Sequence, residues 1–267
     1  ELVCDPLTNT LLAVGVSFEK RADGKVLNTN LVMENDPKSG KWTTLTKFTS
    51  DYVTSIAPYN NSFYVGTEYG EVFKVDASAK TEIFKSSSQI TSISVNNNGI
   101  GFSTLGDGVF ISSDFKNFKQ ELMEKKIIAL YMINPDNLYA LEKIKGLQIK
   151  QNGNYTSYNI PYYSTNISFA VANNEVFIAS YEYGVIKFDL GSKNFSLTNT
   201  NITNVNTTCI SFSPNYATNS TVYLGTANNG LYISKDGGES FTSFGELDHY
   251  QILDVKELSG GTILVGT

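Results

Sequence analysis

One histidine, His249, and one arginine, Arg21, must serve any acid-base or anion-binding chemistry that this 267-residue chain performs. A Ser-His-Asp arrangement would have to use His249, which stands in GELDHYQ beside Asp248. No Gly-x-Ser-x-Gly nucleophile elbow accompanies it. Clamping a substrate carboxylate takes several guanidinium forks converging on one anion, and Arg21 alone cannot supply them. Cys4 and Cys209 are too few and too far apart for a disulfide framework or a zinc spacing, and read as small buried hydrophobes. With the usual His and Cys ligands missing, no metal site and no cofactor is expected. Glycoside hydrolysis needs only two carboxylates across the scissile bond, for which Asp51, Asp107, Glu142 and Glu182 are the candidates. Each sits in a context that also describes an ordinary solvated turn charge. The chain is therefore expected to have no catalytic residues and not to be an enzyme.

The elements that would position any site are set by an internal repeat. The segments FYVGTEYGEVFKV, GFSTLGDGVFIS, LYALEKIKGLQIK and VFIASYEYGVIKF each show an apolar strand, a short polar turn, a glycine and a second apolar strand. Their glycines, Gly70, Gly108, Gly146 and Gly184, are 38 residues apart, and a fifth copy, VYLGTANNGLYIS, carries Gly230 after a longer gap. The extra residues of that gap, around Pro214 to Ser220, have the composition of a surface loop insertion. A short apolar segment precedes each copy, and a fourth segment follows it, often with Phe84, Phe118, Phe195 or Phe241 at its end. Four short strands in about 40 residues, with no helical period, predict a blade of a β-propeller. The expected fold is all-β, with four-stranded antiparallel blades: six complete blades, a hairpin insertion near Lys20 to Asn28 in the first, and part of a seventh. Val265-Gly266-Thr267 repeats Val65-Gly66-Thr67, so residues 1–267 read as a single propeller domain of seven or more blades, truncated within the last.

YISKDGGESF fits the pattern Ser-x-Asp-x-Gly-x-Ser/Thr-aromatic through Ser234, Asp236, Gly238, Ser240 and Phe241. A shorter copy keeps Ser112, Asp114 and Phe118, and vestiges stand at Asp36 with Trp42 and at Asp189 with Phe195. On these residues the chain resembles the Asp-box β-propellers, and its KNF and ESF endings are similar to those of sortilin-type receptor propellers. FYVGTEYGEVFKVD also resembles the repeats of quinoprotein-type propellers. The Asp-box resemblance implies a structural role: Ser and Asp oxygens tie down the turn between third and fourth strands, while the aromatic ring packs between blades.

In a propeller the turns joining second to third strands and the links from one blade to the next lie on the same side. Here they hold Tyr52, Tyr69, Tyr162, Tyr163, Tyr181, Tyr183, His249 and Tyr250 together with acidic neighbours. Tyrosine offers a large contact area with a hydrogen-bonding tip at low entropic cost, which makes this the candidate ligand surface. The net charge of -6 and the scarcity of clustered cations argue against a nucleic-acid partner, and no apolar run is long enough to span a bilayer. A start at Glu1 without Met or a leader fits a mature secreted product or an excised fragment. Seven glycosylation sequons, at Asn60, Asn154, Asn166, Asn194, Asn201, Asn206 and Asn219, favour a secreted, cell-surface or lumenal location. The expected role is a non-enzymatic recognition or adhesion module for a protein, peptide or glycan. The alternatives are a structural subunit of a larger surface assembly and a hydrolase of neutral polysaccharide.

Overall fold

A computed structural model describes the chain except residues 1, 5–9, 37, 38, 50, 51, 145, 163, 164, 173, 204, 205 and 259, and the side chain of Asn166. Six sheets of four strands each follow one another along the sequence. The first holds β1 (Leu2–Cys4), β2 (Leu11–Lys20), β3 (Val26–Asn35) and β4 (Trp42–Thr49). The second holds β5 (Val53–Tyr59), β6 (Ser62–Thr67), β7 (Glu71–Val75) and β8 (Lys80–Lys85), and the third β9 (Ile90–Asn96), β10 (Gly99–Thr104), β11 (Val109–Ser112) and β12 (Lys119–Glu121). The fourth has β13 (Ile127–Asn134), β14 (Asn137–Glu142), β15 (Gly146–Gln151) and β16 (Asn154–Asn159). The fifth has β17 (Asn166–Ala172), β18 (Glu175–Ser180), β19 (Gly184–Asp189) and β20 (Asn194–Leu197), and the sixth β21 (Thr207–Phe212), β22 (Val222–Thr226), β23 (Leu231–Ser234) and β24 (Thr242–Ser243). A two-stranded sheet, β25 (Asp254–Glu257) and β26 (Ile263–Gly266), comes last. Each four-stranded sheet is a sequential antiparallel meander, so the chain has six complete propeller blades and two strands of a seventh. As the glycine spacing predicts, the third strands begin at, or one residue after, Gly70, Gly108, Gly146, Gly184 and Gly230.

The residues divide into two compact units. Unit 1 comprises Glu1–Ala140 and Ile149–Tyr155, and unit 2 comprises Leu141–Gln148 and Thr156–Thr267. Within each, the core lies between consecutive blades. In unit 1, Val65 and Val75 of the second blade pack with Leu12 and Val32 of the first, and Ile100 and Phe102 of the third pack with Tyr64 and Val72 of the second. In unit 2, Phe177 and Val185 of the fifth blade pack with Ile210, Leu224 and Phe241 of the sixth. A blade can bury only one face against each neighbour, so every blade needs the next one to remove its apolar side chains from water.

Two recurrent details fix this stacking. The glycine after the second strand's apolar residue leaves room for the next blade: a Cβ on Gly66 would lie 2.5 Å from Ile90, and one on Gly225 would lie 2.8 Å from Ile252. First-strand threonines then tie adjacent blades together. Thr54 Oγ1 donates to Ile90 O at 2.6 Å, Thr91 Oγ1 to Ile127 O at 2.7 Å, and Thr208 Oγ1 makes the same bond to Ile252 O.

The insertion around Pro214 to Ser220, expected as a loop, contains a one-turn helix, α1 (Tyr216–Asn219). Tyr216 is buried against Phe212, their ring centroids 4.4 Å apart, and that packing organises a segment whose composition alone reads as irregular. A second local helix, a 3-10 turn, covers Gly245–Leu247. Cys209 is buried and Cys4 half-buried, and among the described residues no disulfide forms. Desolvation pushes the Cys209 thiol up to about 12.

Candidate functional site

Each blade has two ends. One, the turn side, carries the connections from first to second and from third to fourth strands; the other, the link side, carries the second-to-third turns and the links between blades.

On the turn side, an aspartate ends or follows the third strand in five blades: Asp36, Asp76, Asp114, Asp189 and Asp236. Each carboxylate accepts bonds from the turn that it closes. Asp76 Oδ1 takes the Ser78 N–H at 2.9 Å and its hydroxyl at 2.7 Å, and Asp114 Oδ1 takes the Lys116 and Asn117 N–H groups at 2.9 and 2.8 Å and the Ser112 hydroxyl at 2.8 Å. Asp236 accepts from the Ser234 hydroxyl at 2.7 Å, the Ser240 N–H at 3.0 Å and the Ser240 hydroxyl. Those hydroxyl bonds, Ser240's foremost, hold its carboxyl at about 2 against an ordinary 3.8. Phe241, 1% exposed, lies in the core between the fifth and sixth blades, and Gly238 sits so close to Phe177 that a Cβ would be 2.4 Å from its ring. The fourth blade replaces the aspartate with Asn152-Gly153, both at positive φ (49° and 81°), a tight hairpin turn that needs no carboxylate. Phe118 packs against Phe84 and Phe102 with centroids 5.1 Å away in each case.

On the link side of unit 1, the β2–β3 hairpin runs beyond β4, whose pairing ends at Thr29↔Thr49. Val16, Phe18 and Val26 stand on it 45%, 70% and 59% exposed. Cross-strand pairing puts Phe18 opposite Asn28, and Asn28 Nδ2 donates to the Tyr52 hydroxyl at 2.7 Å. Tyr69 is exposed at the β6–β7 turn. Of the glycosidase candidates here, Asp107 is engaged by the Ser86 and Ser87 hydroxyls at 2.6 and 2.7 Å, which hold its carboxyl below the usual range. Asp51 lies outside the described residues.

On the link side of unit 2, the rings of Tyr162 and Tyr183 meet at 5.3 Å, while Tyr181 and Tyr250 are exposed. Tyr163 lies outside the described residues. Glu182 is exposed, and Glu142 Oε1 accepts from Gln148 Nε2 at 2.6 Å. An open pocket of about 540 Å³ lies where the fifth-to-sixth link, the β22–β23 turn and the segment after β24 meet. Asn201, Thr203, Asn228, Asn229, Asp248 and His249 line it, over a floor formed by Tyr232 and Phe241. The Thr226 hydroxyl fixes the turn by accepting the Asn229 N–H at 3.0 Å and donating to Gly230 O at 2.9 Å. Thr203 Oγ1 accepts from Asn229 Nδ2 at 3.2 Å and shares a 2.7 Å bond with the Tyr232 hydroxyl, and Ser243 Oγ donates to Asp248. Reading the sequence placed His249 on this side but missed the three asparagines as ligand groups. Asn201 stood out only as a sequon, and Asn228 and Asn229 only as turn residues.

The remaining sequons distribute by blade end. Asn60, Asn154, Asn194 and Asn219 lie exposed on the turn side, and Asn201 and Asn206 lie in the fifth-to-sixth link. Asn166 opens β17. Among the described residues, no group of three His, Cys, Asp or Glu side chains is placed to hold a metal ion, and no helix is long and apolar enough to cross a membrane.

No protein-family description matches the chain, and no curated protein matches it in sequence. Solved structures do. The chain is similar to the WD40 β-propeller domain of Doa1, with 13% identity and a TM-score of 0.72 over 96% of this chain and 92% of that one. It is similar to a chain of a Mitotic Checkpoint Complex, with 12% identity and a TM-score of 0.76 over 99% and 82%. A third likeness is to YCF48 from Cyanidioschyzon merolae, with 13% identity and a TM-score of 0.65 over 80% and 78%. At such identities the likeness speaks to fold, and with the six meander blades it makes this chain a β-propeller.

Proposed function

We propose that the chain is a non-enzymatic recognition module that engages a protein, peptide or glycan through the link side of its blades. The observation that carries this reading is the set of aromatic side chains left exposed there: Phe18, Tyr52 and Tyr69 in unit 1, and Tyr181 and Tyr250 in unit 2. Exposed aromatic groups on rigidly anchored turns are the usual energetic anchors of binding surfaces. The presence of one similar fold within a checkpoint complex supports a partner-binding role by analogy of fold. The Asp236 turn supports grouping the chain with Asp-box propellers, and through the KNF and ESF endings with sortilin-like receptors. That grouping and the sequons favour a secreted, surface or lumenal setting, with no nucleic acid as partner.

The test is photo-crosslinking in the expressing cell. A photoreactive residue at Tyr69 or Tyr181 should give discrete adducts that one at turn-side Asn61 does not give. Adducts from Asn61 alone would place recognition on the other end of the blades.

A further inference from the structure

The unit 2 pocket is lined mainly by polar side chains, and their chemistry narrows the ligand. Among the described residues that line it, Asp248 is the one charged group and there is no Lys or Arg. A phosphate, sulfate or carboxylate would therefore meet a carboxylate with no compensating cation. An organic cation is no better served: the Tyr232 and Phe241 rings are 3% and 1% exposed, so no open aromatic face is offered to it.

What the pocket does offer is hydrogen-bonding capacity held in fixed places. Asn229 and Asp248 are anchored by Thr203, Thr226 and Ser243. The side chains of Asn201, Asn228 and His249 make no hydrogen bond within the protein among the described residues. A carboxamide presents a donor and an acceptor side by side, which matches a pair of neighbouring hydroxyls, and a carboxylate accepts from two hydroxyls at once. The volume, about 540 Å³, is that of an ordinary ligand site.

We propose that this pocket binds a neutral sugar or short oligosaccharide through Asn228, Asp248 and His249, an inference that rests on the recognition role and names one of its ligands. Hydroxyls of the ligand would donate to Asp248 and pair with the donor and acceptor of the Asn228 carboxamide.

Ligand-observed saturation-transfer NMR tests it, using protein made in bacteria so that Asn201 carries no glycan. The probes are maltotriose, cellotriose, mannotriose and chitotriose, with sialyllactose as the anionic comparison. At least one neutral trisaccharide should show transfer and sialyllactose none. Asn228→Ala and Asp248→Asn should each weaken that binding tenfold or more at unchanged melting temperature. Absence of transfer from all four neutral probes, or transfer untouched by both substitutions, overturns the assignment. Link-side crosslinks at Tyr69 or Tyr181 alongside such a failure would sink the sugar site alone and leave the recognition role standing.

Discussion

Asp236 and Asp248 stand at opposite ends of the same sixth blade and have opposite fates. Each lines an open pocket, but Asp236 accepts three hydrogen bonds from its own turn, whereas Asp248 accepts one among the described residues, from Ser243. On the turn side, Asp36, Asp76, Asp114, Asp189 and Asp236 are taken up by the turns they close, and the residues that form a recognisable motif there hold the blade together. On the link side, carboxamides, an imidazole and tyrosines remain available, and no motif marks them. Both aspartates are exposed, so the hydrogen bonds each already accepts, not exposure or motif strength, separate the carboxylate able to meet a ligand from the one that is engaged.

The largest expected effect tests whether the turn side belongs to the core. Phe241→Ala removes a ring that fills the space between the fifth and sixth blades and should cost about 3–5 kcal/mol, read by denaturant unfolding. A loss under 1 kcal/mol would mean that the ring is not a packing element. Asp236→Ala removes a turn cap and should cost about 0.5–2 kcal/mol.

That second effect carries a pH signature. The folded carboxyl of Asp236 is depressed to about 2 from 3.8, so its contribution is complete above the ordinary value and disappears as pH falls through about 2. The stability gap between wild type and Asp236→Ala should therefore be constant from neutrality to about pH 5 and close between pH 4 and 2. A gap unchanged at pH 2 would assign the loss to something other than the carboxylate. The smallest effect belongs to the other end: Tyr69→Ala should change stability by no more than about 0.5 kcal/mol, since the side chain is exposed and makes no hydrogen bond among the described residues.

The blade repeat was legible because its cause is local. In the second to sixth blades the third strand begins at a glycine or one residue after it, and Gly70, Gly108, Gly184 and Gly230 take positive φ there, so the spacing of one residue type reports the spacing of the blades. Gly146 departs from this: its φ is not in the left-handed region, and the nearest atoms to a Cβ there belong to the Glu142 side chain, the carboxyl carbon at 2.2 Å. Asp76, missed when the motif was sought through an aromatic partner, shows that capping by Asp is more widespread than the motif. The pocket was not legible. Asn201, Asn228 and His249 lie in three connections separated along the chain, and only the stacking of the fifth and sixth blades brings them together. The helix at Tyr216–Asn219 was hidden for the same reason, since it depends on a distant packing surface rather than on its own sequence.

The division between the two ends of the blade is tested most directly by titrating a bound neutral trisaccharide into Asp236→Ala and Asp248→Asn under conditions where both are folded. Asp236→Ala should bind as the wild type does while melting earlier, and Asp248→Asn should melt as the wild type does while losing at least tenfold in affinity. The reverse pattern, binding lost with Asp236 and retained without the Asp248 carboxylate, would contradict the account.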